Sequence, residues 1–145
     1  MEITVGMKGE QMVDMDALKA AGAIGFTDDG VPILEEALAR KAMLETARLQ
    51  VPISFHEEHP MFISNNGINR GKASMHFEIG GSDRQAEISM VERDVQIALE
   101  TGTSMNVQHI STKEGVEAVR NGKAKGKNEW FVGGITDENS RTLPL

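Results

Sequence analysis

Three short apolar runs in this chain each end in a side chain able to bind a metal. Residues 23–27 (Ala-Ile-Gly-Phe-Thr) lead into Asp28-Asp29-Gly30. Residues 51–55 (Val-Pro-Ile-Ser-Phe) lead into His56-Glu57-Glu58. Residues 105–108 (Met-Asn-Val-Gln) lead into His109-Ile110-Ser111-Thr112. An apolar run of this length, bounded by polar residues, reads as a buried strand. A buried strand that closes on a chemically active side chain is the arrangement a β/α barrel uses at its catalytic end.

The stretches between these runs have helical periodicity. Over residues 33–50, Leu34, Leu38 and Ala42 fall on one stripe with Ala37 beside them, while Glu35, Glu36, Arg40 and Lys41 serve the other faces. Ser82-Asp83-Arg84-Gln85 matches a capping box, and the helix it opens carries Ile88, Val91, Val95 and Ala98 on one stripe and stops at Gly102. Ser111-Thr112-Lys113-Glu114 opens a further helix with Val116 and Val119 inward. A shorter helix, capped by Asp14 or Asp16, precedes Gly22, and the β-branched residues 2–5 suggest a first short strand. Residues 59–81 read as a long irregular loop following the His56 strand, and so over the same end of the molecule. Strands alternating with helices imply parallel βαβ units, about four of them. A closed eightfold barrel takes ~250 residues, so the expectation is a small open α/β sheet or roughly half a TIM-type barrel.

Residues 1–126 hold this pattern. Residues 127–145 form an atypical C-terminal tail with the single tryptophan, the Gly133-Gly134 pair and a polar run, and without a helix period.

Composition narrows the function classes. A net charge of -7 argues against a nucleic-acid partner. No apolar run approaches the ~20 residues of a membrane span, and residues 1–5 lack the features of a signal peptide. With no cysteine there are no disulfides or thiolate metal sites, which fits a reducing, cytoplasmic setting.

If the strands are parallel, His56, His109 and the Asp28/Asp29 pair converge at one side of the sheet. Two imidazoles and a carboxylate suit Zn²⁺ in a hydrolytic site, where the ion polarises a carbonyl and activates water. The same residues also fit satisfied polar groups at strand ends and an ordinary turn, and no HxH or HExxH pair accompanies them. Glu57 and Glu58 read either as groups orienting His56 or as a surface acidic pair. His59 and His76 read as solvated. From the long loop, Asn66, Asn69 and Arg70 are candidates for holding an anionic substrate, with turn chemistry the alternative.

Taken in order, these segments resemble the dihydroorotases of the amidohydrolase superfamily. They are residues 22–30, 51–58, 66–74, Ala86-Glu87 with Arg93-Asp94, and 109–112, together covering residues 3–126. The resemblance implies strands three to six of a metal-dependent (β/α)₈ barrel that interconverts carbamoyl-aspartate and dihydroorotate in pyrimidine synthesis. By that resemblance Asp29 takes the place of the bridging acid after the fourth strand. His56 and His109 close the fifth and sixth strands as ligands of one of two zinc ions. Related hydantoinases and allantoinases usually carry a carboxylated lysine at the fourth strand, and this strand has none.

The family's HxH pair with its substrate-binding arginine has no counterpart before Glu2, and no eighth-strand aspartate follows. The expectation is therefore a small-molecule hydrolase segment with one zinc site retained by Asp29, His56 and His109, and with exposed sheet edges that favour self-association. The alternative is a non-catalytic remnant that acts as an oligomerising or partner-binding module.

Overall fold

A computed structural model of the chain describes residues 1–64, 67–126 and 132–133, the last two through their backbone. The elements, in order, are α1 (Met15–Ala20), β1 (Phe26–Thr27), α2 (Glu36–Leu49), β2 (Ile53–Phe55), α3 (Lys72–His76), α4 (Gln85–Thr101), β3 (Met105–Val107), α5 (Lys113–Lys125) and β4 (Val132–Gly133). The strands pair in the order β1-β2-β3-β4, all parallel. Phe26 aligns with Ile53 and Ile53 with Met105, so all strand ends point the same way.

Side-chain alternation along the strands divides the sheet into two unlike faces. Phe26, Ile53, Phe55, Met105 and Val107 are buried, within one core with Ala39, Ala42 and Met43 of α2 and Val91, Val95 and Ala98 of α4. The other face is polar and half-buried. There Asn106 Nδ2 donates to Ser54 Oγ (2.7 Å), and Gln108 Nε2 donates to Ser54 Oγ (3.0 Å) and Thr27 Oγ1 (3.1 Å). The expected stripe Ile88, Val91, Val95 and Ala98 of α4 is buried along its length, and Gly102 ends the helix at φ 69°. The helix α4 packs against both α2 and α5.

Several expected boundaries move, each for a local reason. The run 23–27 forms a strand only at Phe26–Thr27, because the β1–β2 ladder begins at Pro52, which accepts from Phe26 N (3.1 Å) but has no N–H to return. Residues 2–5 do not make a strand, since the amides of Ile3 and Thr4 are taken by the Asp28 carboxylate. Instead Thr4 forms a single antiparallel bridge to Met12, and Met1 lies beside β1, with Thr27 N donating to its carbonyl (2.7 Å). Helix α2 starts at Glu36, so Leu34 is exposed (47%) and Ile33 (1%) fills the core place expected of it. The stretch 59–81 is not structureless. It holds a 3₁₀ turn at Pro60–Phe62, the helix α3, and a parallel bridge between Asn69 and Ser82. The residue serving α4's start is Asp83 rather than Ser82, its Oδ1 accepting from Gln85 N (3.0 Å). Of the tail, Val132–Gly133 pairs with β3, and the rest lies outside the described residues.

Candidate metal centre at the strand ends

Alternation puts Phe55 into the core and turns His56 to the polar face, with its side chain 14% exposed. The β2–β3 ladder runs on one step further, through Gln108 N to Phe55 O (3.1 Å). His109 follows with φ 34°, a left-handed conformation uncommon outside glycine and tolerated more readily by His, Asn and Asp. The two rings meet edge to face, with centroids 4.7 Å apart at 76°. Nε2 of His109 lies 2.9 Å from Nδ1 of His56, and Nε2 of His56 lies 3.1 Å from a carboxylate oxygen of Glu58. With His56 donating from Nε2 to Glu58, its Nδ1 is the acceptor and His109 Nε2–H the donor.

This pair fits two corners of a metal site. Two nitrogens on one tetrahedral zinc, each ~2.0–2.1 Å from it, stand roughly 3.3 Å apart, so the rings need to part by only a few tenths of an ångström. A ligating histidine usually donates its other N–H to a carboxylate, the relation His56 already has with Glu58. Among the described residues, no group of three His, Cys, Asp or Glu side chains is gathered closely enough to hold an ion. Asp29 is exposed in the turn between β1 and α2. Its neighbour Asp28 is buried (1%) and accepts from Ile3 N (2.7 Å), Thr4 N (3.1 Å) and the Thr4 hydroxyl, so Asp28 has a structural task.

The loop after β2 does return to this end. Arg70 N donates to Ser82 O and Ser82 N to Ile68 O, and a Cβ on Gly81 would come within 2.6 Å of Arg70 N, so this crossing requires glycine. Asn69 Nδ2 thereby reaches Ser111 Oγ (3.1 Å). A cleft of about 200 Å³ opens between them, lined by Glu57, Glu58, Asn69, Glu87, His109 and Ser111. Arg70 is exposed and does not line the cleft, and Asn66 lies outside the described residues. His59 is half-buried rather than solvated, its Nδ1 accepting from Met61 N (3.3 Å), while His76 is exposed beside Phe77.

Two carboxyls behind the site have tasks that the sequence does not assign them. Glu87 (9% exposed) accepts from the amide and hydroxyl of both Ser111 and Thr112, at 2.5–2.9 Å, and so fixes the segment after His109 at the start of α5. Glu57 is 2% exposed and not a surface group. Among the described residues no donor reaches either of its oxygens, and it faces the Asp94 carboxyl, which Arg93 grips at 2.8 and 2.9 Å. Burial, and then the charge of Asp94, push the Glu57 carboxyl well above its ordinary range. Burial raises Asp94 too, against the pull of Arg93, so one proton shared between the carboxyls satisfies both. Alternation already hints at Glu57's place, since it is two residues beyond buried Phe55.

Over residues 1–115 the sequence matches the family described as Dihydro-orotase-like. The dihydroorotase of Clostridioides difficile (strain 630) is 45% identical over 124 residues, which make up 86% of this chain and 30% of that protein. The dihydroorotase of Clostridium acetobutylicum is 43% identical over 126 residues, 87% of this chain and 30% of that protein. The chain thus spans about 30% of the length of these curated relatives. Among solved structures, the L-hydantoinase (dihydropyrimidinase) from Arthrobacter aurescens superimposes with a TM-score of 0.65 at 17% identity, over 92% of this chain and 31% of that one. A D-hydantoinase from Bacillus sp. AR9 gives 0.61 at 14% identity, over 83% and 27%. The four parallel strands and their helices are accordingly part of a TIM-type barrel, the one of the two arrangements left open by the alternation that the family resemblance implied.

Proposed function

The chain belongs to the dihydro-orotase-like family, and from that premise we propose that it is a segment of a metal-dependent cyclic amidohydrolase acting between carbamoyl-aspartate and dihydroorotate in pyrimidine synthesis. His56 and His109 are two ligands of one metal ion, Zn²⁺ by the chemistry of the donors, and Asp29 is the third. The observation that carries this reading is the 2.9 Å approach of His56 Nδ1 and His109 Nε2 at the same end of adjacent parallel strands. The dihydroorotases at 43–45% identity support the substrate class.

The metal, when bound, supplies a Lewis acid for the ring amide carbonyl and a water of lowered pKa. The chain's own residues do the rest. Glu58 holds the Nε2–H of His56 and so leaves Nδ1 as the donor atom. To offer Nε2, which now bonds His56, His109 would take the other neutral tautomer, with its one ring proton on Nδ1 instead of Nε2. Asn69, tied to Ser111, holds the loop across the mouth of the cleft, where it covers a small ligand from water.

Calorimetric titration with Zn²⁺ tests the assignment. The expected result is about one ion per chain, with binding lost in His56→Ala and in His109→Ala and weakened in Asp29→Asn. Equal binding by wild type and both histidine variants would refute it.

A further inference from the structure

The loop that carries Asp29 is anchored at both ends, and one anchor leads back to His56. At its start, Asp28 is pinned by the amides of Ile3 and Thr4. At its end, Arg93 of α4 donates from Nη2 to Ile33 O (2.8 Å) and from Nη1 to Leu34 O (3.0 Å). The same guanidinium holds both oxygens of Asp94, at 2.8 and 2.9 Å. Asp94 is fully buried and faces Glu57, the residue next to His56. Hydrogen bonds thus run from the end of the Asp29 loop through Arg93 to Asp94, whose carboxyl faces that of Glu57 at the end of β2.

We propose that Arg93 is a positioning residue for the metal centre, setting the Asp29 loop against His56. The proposal rests on the reading of Asp29, His56 and His109 as ligands. Arg93 is 17% exposed, and its fork serves four acceptors at fixed angles, two on each side of the junction. A lysine keeps the charge but offers one point of attachment where the fork bridges loop and helix. Partners that orient ligands in this way typically change metal affinity 10–100-fold when altered.

The test compares Arg93→Lys with Val95→Ala, a truncation of a buried core side chain on the same helix. Two quantities are read: Co²⁺ affinity, and exchange of the Val31 amide, which donates to Asp28 O within the loop (3.1 Å). Arg93→Lys is expected to weaken Co²⁺ binding at least tenfold and to speed Val31 exchange tenfold. Val95→Ala is expected to leave Co²⁺ affinity within twofold, whatever its melting temperature. Affinity within twofold of wild type in Arg93→Lys overturns the proposal, as does an equal loss in Val95→Ala. If wild type binds no Co²⁺, the ligand assignment itself fails. Val31 exchange and the imidazole ¹⁵N shifts of His56 then decide the role of Arg93, and no change in either overturns it.

Discussion

The carboxyl of Glu57 faces that of Asp94 beneath the strand that ends in His56, and only Asp94 is met by a cation. A buried acid whose folded pKa is raised binds its proton more tightly folded than unfolded. Its stabilising effect is full below the unfolded value of about 4.5 and is lost as pH rises through the folded value. The chain should therefore lose stability to urea as pH rises above about 4.5. In Glu57→Gln, which keeps the shape without the titration, that slope should flatten. Parallel slopes for the two proteins would show that Glu57 is ionised throughout.

Neighbouring aspartates carry different tasks. Asp28→Asn removes a charged acceptor from two amides and a hydroxyl, and should cost about 2 kcal/mol in urea unfolding. Asp29→Asn, on an exposed turn, should stay within about 0.5 kcal/mol of wild type while weakening metal binding. The reverse ranking would reassign the pair.

The left-handed backbone at His109 separates conformation from chemistry. His109→Gly relieves a φ that His109→Ala does not, so the glycine variant should be the more stable by roughly 1 kcal/mol. Both should lose metal. Equal stabilities would mean that the left-handed turn is not kept once the imidazole is gone.

Glu87 holds the exit from β3. Glu87→Gln retains one acceptor where four donors converge, and should cost roughly 2–3 kcal/mol. Thermal unfolding with a backbone probe in α5 would report it, and an unchanged midpoint would show that Thr112, which also accepts from Gly115 N, caps the helix alone.

Much of the fold was legible because periodicity records burial directly. The stripe of α4 and its glycine stop appear as read, and so do the parallel strands ending in His56 and His109. What periodicity cannot carry is long-range hydrogen bonding. Ile3 and Thr4 have strand-like side chains, yet Asp28 takes their amides, and Arg93 sets where α2 begins by holding the carbonyls just before it. The histidine pair was legible as two strand ends with the same direction. The buried Glu57–Asp94–Arg93 group was not, since a Glu-Glu dipeptide after a strand looks like solvated surface until α4 is laid over it.

The central claim is that His56 and His109 bind the same ion. Zinc-edge X-ray absorption on the loaded chain measures it most directly. Two imidazole nitrogens at about 2.0–2.1 Å are predicted, falling to one or to no bound zinc in His56→Ala and in His109→Ala. An oxygen-only shell, or an imidazole count unchanged by either substitution, would contradict it.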